Sequence, residues 1–141
     1  MTIKEKIKHW GSKLELLEGM ERLEYLVELA DYKTSLPREQ RTDDKLVFGC
    51  ISRIWVNPTV QNDKVIVDYD SDSMITKGIT RIVCDCFTGG DVAEAVAIHR
   101  DEFNDLRIKE LLTAQRRNGL GNLIETIQKK VIELNKAKQT V

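Results

Sequence analysis

The sequence is poor in the features that punctuate or specialise a chain. It has only two prolines, Pro37 and Pro58, and no proline-, glycine- or serine-rich stretch that would mark a linker. No internal repeat or low-complexity tract is present, so residues 1–141 read as one domain, a usual size for one hydrophobic core. No apolar run approaches the ~18 residues needed to span a bilayer, which argues against a membrane protein. Charge of one sign is also missing. Lysine plus arginine (22) against aspartate plus glutamate (23) leaves −1. That balance removes the usual electrostatic reason to propose nucleic acid or anionic membrane as a main ligand. There is no phosphate-binding glycine loop. The three cysteines, Cys50, Cys84 and Cys86, are odd in number and contain no Cys-x-x-Cys spacing, so a secreted disulfide framework is excluded. The opening stretch Met1–Lys8 is too charged to lead into a signal-peptide core, and the expected location is cytoplasmic.

What is present is strong periodicity. Ile3, Ile7, Trp10, Leu14 and Leu17 fall on one helical face, and both Thr2/Glu5 and Ser12/Glu15 fit the capping-box pattern. A break is expected at Gly11 or Gly19, after which Met20, Leu23, Val27 and Ala30 carry a second face. Residues 31–45 are polar, contain Leu36-Pro37 and read as a loop. Ile54 and Val56, then Val65, Val67 and Tyr69, alternate as strands, with Leu46–Phe48 a candidate short strand before them. Asn57-Pro58 and Asn62-Asp63 supply turn chemistry for an antiparallel hairpin. Asp72 or Ser73 can cap a helix with the stripe Ile75, Ile79, Ile82, Val83 and Cys86, ending at Thr88–Asp91. Short helical pieces follow over 91–111. A final helix from about Thr113 presents Leu120, Leu123, Ile124, Ile127, Val131 and Leu134, with a frayed tail from Lys136. Helices before and after a small antiparallel sheet predict an α+β fold.

Cys50 is the residue with most chemical promise. It lies in Phe48-Gly49-Cys50-Ile51-Ser52, where the polar loop meets the first clear strand. Gly49 permits a positive φ that presents the thiol at a turn. The residues leave two readings open: a shielded nucleophile, or a small buried hydrophobe. Cys84 and Cys86 project about 200° apart on a helix; Cys86 joins the core stripe, whereas Cys84 shares a face with Lys77, Arg81 and Thr88 and is expected at the edge of the packing, as a tolerated edge cysteine more than as a thiol acidified by those cations. A metal site would need all three cysteines, with or without His99, to converge, and the spacing gives little support for that. His9 and His99 sit in no nucleophile motif. Asp70-Ser71-Asp72 is explained as a strand end and helix cap without a cation. Arg116 and Arg117 stand at a helix start and form either a solvated helix face or a site for a partner's carboxylates or a nearby thiol; their placement against the macrodipole mildly favours the second.

These pieces, taken together, resemble the SufE family. Leu36-Pro37, Arg41-Thr42 and Gly49-Cys50-x-Ser52-x-x-Trp55 resemble its sulfur-acceptor signature. Asp70-Ser71-Asp72-x-x-Ile75-x-x-Gly78 is similar to its post-hairpin segment, and Leu112-Thr113-x-x-Arg116-x-Asn118-Gly119-Leu120 to its carboxy-terminal motif. The motifs are common to SufE and its paralogue CsdE. The resemblance implies a small antiparallel sheet flanked by helices, as in the IscU-type scaffolds. It implies a carrier, not a self-sufficient enzyme, that activates a cysteine desulfurase (SufS- or CsdA-like) and takes its persulfide sulfur on Cys50. The sulfur would pass to an iron–sulfur scaffold complex (SufBCD-like), with no resident metal or cofactor, since pyridoxal phosphate belongs to the desulfurase. By the same resemblance Gly49, Ser52, Trp55, Asp72, Arg116, Asn118 and Gly119 bind the partner or tune the thiol. Two departures stand out: Ile51 follows the acceptor where the family often has glutamine, and Ala114-Gln115 precedes Arg116 where it often has proline and serine. A metal or iron–sulfur scaffold built on the three cysteines is the alternative reading.

Overall fold

Thr2 starts the first helix, α1 (Ile3–Glu15), through a reciprocal capping box. Its hydroxyl accepts from the Glu5 N–H, and the Glu5 carboxylate accepts from the Thr2 N–H, both at 3.1 Å. The computed structural model describes residues 1–30, 35–50, 52–108, 112 and 114–139, the side chains of 114–116, 138 and 139 excepted. α1 buries Ile3, Ile7, Trp10 and Leu14, the expected stripe, but runs straight through Gly11. The break comes at Leu16–Gly19, where Gly19 takes φ +51°. Ser12 and Glu15 therefore lie inside α1 and cap nothing. In α2 (Met20–Ala30) the buried face is Leu26, Leu29 and Ala30, whereas Met20 is 68% exposed. The buried face is rotated from the expected one, because α2 turns Leu26 and Leu29 towards α3 (Met74–Phe87). Of the expected loop, 31–34 lie outside the described residues; 38–40 and 43–45 are single 3₁₀ turns.

The hairpin joins β1 (Ile54–Gln61) and β2 (Lys64–Ser71), in register from Ile54↔Ser71 to Gln61↔Lys64. Asn62 and Asp63 both take positive φ, the two-residue turn whose twist suits a hairpin. Asn57-Pro58, expected as turn chemistry, instead sits within β1 opposite Asp68 and Val67. Among the described residues only two strands pair along their length, which leaves β1 an open edge where a proline lacking its N–H is tolerated. Leu46–Phe48 does not form a full third strand. It contributes one bridge, Leu46↔Trp55, and the Val47 N–H donates to the Ile54 carbonyl at 2.8 Å.

α3 packs on β2 and against α1 and α2, while α5 (Ala114–Gln139) packs on β1. Between them α4 (Val92–Ala97) and a 3₁₀ segment (Arg100–Leu106) pack against α5 and α1 respectively. Val56, Val65, Ile82, Phe87, Leu123 and Ile127 are fully buried in the core these elements share. The result is the expected α+β architecture, a small antiparallel sheet flanked by helices. Two expectations for α5 change. Leu134 is exposed, and the helix continues past Lys136 through Gln139. Among the described residues no helix is long and apolar enough to cross a membrane.

Candidate functional site

Cys50 closes the loop that follows the Leu46–Trp55 bridge. Val47 is buried and pinned to β1, so the chain must turn sharply to place the next residues. Gly49 makes that turn with φ +83°, a conformation costly for any residue with a Cβ. A Cβ there would also collide with the Asn122 side chain, whose amide donates to the Gly49 carbonyl at 3.4 Å. The turn swings Cys50 inward against α5. Its thiol donates to the Gly119 carbonyl at 3.5 Å and is half-buried.

The thiol faces a small cleft of about 30 Å³, walled by Ile54, Ile79, Leu112, Leu120 and Leu123, with Ser52, Thr76 and Thr80 at its polar edge. That is room for a guest no larger than about one water molecule. Burial pushes the Cys50 thiol pKa up, because the walls solvate a thiolate poorly. The resting thiol is therefore protonated, shielded and adjacent to an apolar cleft.

Gly119 matters here for the space it leaves. A Cβ would lie 3.2 Å from Cys50 Sγ and 3.7 Å from its Cα. Gly119→Ala is expected to push the Cys50 loop outward by a few tenths of an ångström. Alkylation of Cys50 by iodoacetamide should then run several-fold faster than in the parent, with thermal stability changed by no more than about 1 kcal/mol. An unchanged alkylation rate would mean that the loop is already open in solution.

Behind the loop lies a buried ionic cluster. Asp70 is 0% exposed and forms ion pairs with Arg41 and, at 3.5 Å, with Lys77. The Arg41 guanidinium also stacks on the Trp55 ring, 5.2 Å from its centroid. Ser71 donates its hydroxyl to the Arg53 carbonyl, and Asp72 accepts from the Arg53 N–H at 3.0 Å. Asp70-Ser71-Asp72 thus ties the entry of β1 to the end of β2. Among the described residues no group of three or more His, Cys, Asp or Glu side chains is placed to hold a metal.

Residues 9–131 match the SufE family, described as an Fe-S metabolism associated domain. The chain belongs to the SufE family. Over 102 residues it is 32% identical to SufE-like protein 1, chloroplastic/mitochondrial, of Arabidopsis thaliana, an alignment covering 72% of this chain and 28% of that protein. Over 113 residues it is 30% identical to an uncharacterized SufE-like protein of Rhizobium etli, covering 77% and 76% of the two chains. The chain therefore spans little more than a quarter of the Arabidopsis relative and about three quarters of the Rhizobium one. The solution structure of a hypothetical protein from Thermus thermophilus shares the fold, with TM-score 0.74 and 18% identity over 93% of this chain and 96% of that one.

Of the residues that the SufE resemblance selects, Cys50, Gly49, Ser52 and Gly119 come together. Ser52 accepts a hydrogen bond from the Thr76 hydroxyl at 3.3 Å, fastening the loop to α3. Trp55 is buried under Arg41 and outside the cleft, and Asp72 serves the β1 entry. Asn118 and Arg117 are exposed and line a neighbouring groove with Arg100 and Asn122. Arg116 lies in the first turn of α5, and its side chain, like the whole of Ile51, is outside the described residues. Sequence reasoning missed Asn122, which follows Gly119 by three positions on α5 and so shares its face. It also missed the hydroxyls of Thr76 and Thr80, which sit beside the expected stripe residue Ile79.

The expectation of an edge position for Cys84 is corrected. Cys84 and Cys86 are both buried, because α3 is covered by β2 on one side and by α1 and α2 on others. Burial raises the Cys84 pKa well above its ordinary value and pushes Cys86 up to about 12. Unfolded thiols titrate near pH ~8.5. Above that pH the unfolded chain loses protons that the native chain keeps, so stability must fall as pH rises. The expected slope is about 1.4 kcal/mol per pH unit for each thiol between roughly pH 8.5 and 10. Urea midpoints across that range check this, and the slope should flatten in a Cys84→Ala/Cys86→Ala chain.

Proposed function

We propose that this chain accepts sulfur on Cys50 from the persulfide of a cysteine desulfurase and delivers it to an iron–sulfur cluster scaffold. The observation that carries the reading is the half-buried Cys50 thiol on a glycine turn, facing an apolar cleft sized for one small guest. In the loading step the Cys50 thiolate attacks the terminal sulfur of the donor persulfide. The new S–S bond forms as the donor's S–S bond breaks, and the donor cysteine leaves as thiolate. No net oxidation occurs. Removing sulfur from the donor frees its cysteine for another turnover, which is how a carrier stimulates a desulfurase.

The apolar cleft suits the loaded state, since a persulfide held there is kept from reductants in water. The same burial slows attack by raising the thiol pKa. The carrier therefore hides Cys50 when free and exposes it when docked, with Gly49 and its flanking residues as the hinge. The chemistry of desulfuration, and its pyridoxal phosphate, belong to the partner. The three cysteines are free thiols, which suits a reducing compartment, in our reading the cytoplasm.

The test is intact-mass spectrometry with peptide mapping after incubation with a cysteine desulfurase and free cysteine. A gain of about one sulfur on Cys50, reversed by a thiol reductant, is the expected result. No gain with several desulfurases would overturn the reading.

A further inference from the structure

Phe48 is 76% exposed, two residues before the thiol. Among the described residues no other phenylalanine, tyrosine or tryptophan side chain is exposed, and aromatic rings are enriched at protein–protein contacts. Its neighbour Val47 is buried and hydrogen-bonded to β1, so the ring stands on a fixed base. Its other neighbour is Gly49, the turn on which Cys50 swings. The ring borders a groove of about 330 Å³ between the loop and α5, with Leu46 and Asn122 beside it and Asp44, Glu125 and Lys129 around it. Those rim charges are of both signs, so the patch is organised around an apolar contact and carries no single charge for a partner to match.

We infer that Phe48 is the handle by which the sulfur-donating protein grips this chain and draws the Cys50 loop open. This rests on the reading of Cys50 as the acceptor. The occupant is the donor, which would present an apolar pocket beside its persulfide-bearing segment. The reason lies in which step asks more of the closed thiol. In loading, Cys50 is the nucleophile, and its thiol is closed against the Gly119 carbonyl and a wall of leucines. In unloading the loop must also admit a nucleophile, but Cys50 is then the leaving group and needs no ionisation before the attack. Binding free energy gained on the ring is transmitted through one residue to the turn, where it offsets the cost of exposing the thiol.

The experiment compares Phe48→Ala and Phe48→Leu with the parent in single-turnover loading from a desulfurase charged with free cysteine, read by intact mass. Phe48→Ala should load at least about ten-fold more slowly at sub-saturating donor, as expected for loss of an interface anchor, and Phe48→Leu should recover most of the rate. Melting temperature and the donor-free rate of Cys50 alkylation should stay within a few degrees and about two-fold of the parent, since an exposed ring contributes little to the fold. If the parent loads and Phe48→Ala loads equally fast, the handle is refuted while the acceptor role stands. Slowing confined to delivery of sulfur to a scaffold would equally refute it, by assigning Phe48 to the recipient. If the parent itself takes no sulfur, the acceptor reading falls first and this inference with it.

Discussion

Cys50→Ser is expected to give a folded chain that accepts no sulfur. A serine hydroxyl cannot form the S–S bond that holds the cargo, and it is not ionised at neutral pH. The loss should therefore be complete, whatever the strength of partner binding. Folding should survive, because the hydroxyl can keep the contact with the Gly119 carbonyl that the thiol makes at 3.5 Å. The cost of placing it beside the apolar cleft should be about 1 kcal/mol, a fall of roughly 2–4 °C in Tm. Cys84→Ser and Cys86→Ser should behave in the opposite way. Each buries a hydroxyl deep in the packing of α3 and should cost about 1–3 kcal/mol, yet sulfur uptake on Cys50 should persist. Intact mass and thermal melts of the three variants separate the carrier from a centre built on all three thiols. Uptake by Cys50→Ser, or loss of uptake in the folded Cys84 and Cys86 variants, would overturn the carrier.

The contrast between these cysteines shows how much of the molecule is legible in its sequence. Local signals draw attention to Cys50, with a glycine before it, a polar loop upstream and an alternating strand downstream, but they leave nucleophile and buried hydrophobe open, and the resemblance to the SufE signature is what selects it. The hairpin is legible from period-two alternation and from Asn62-Asp63, a turn whose positive φ values those residue types tolerate. Cys84 is misjudged because a single helical stripe describes one packed face, and α3 is covered on several. Pro58 is misjudged for a related reason. Proline reads as a strand breaker unless one knows that its strand has an open edge, which is a property of the sheet. The face of α2 is rotated because Leu26 and Leu29 meet a helix distant in sequence. Local chemistry together with the family signature locates the thiol. The cleft it faces is assembled from β1, α3 and α5, and no single segment carries its signature.

Asp70→Ala is expected to have the largest effect on stability of any substitution near the site. Asp70 is fully buried, and its carboxylate is balanced by Arg41 and Lys77, which come from the loop before β1 and from α3. A buried ion pair gains little net stability over an apolar packing of the same volume, but removing one partner strands the others' charge. Here two cations are left. Both retain partial access to water, Arg41 at 26% and Lys77 at 18% side-chain exposure, so they can recover some hydration. That places the expected cost at the lower part of the ~3–5 kcal/mol range for breaking a buried pair, or roughly 10 °C in Tm. Asp70→Ala combined with Arg41→Ala should cost less than the sum of the single changes by about 1–3 kcal/mol, because the two residues share one interaction. The loss should also reach the thiol. Arg41 holds the Trp55 ring, and Trp55 carries the bridge to Leu46 from which the Cys50 loop departs. Iodoacetamide should then label Cys50 several-fold faster below the melting temperature in Asp70→Ala than in the parent. A cost under about 1 kcal/mol with unchanged labelling would mean that the cluster behaves as a surface ion pair and does not brace the loop.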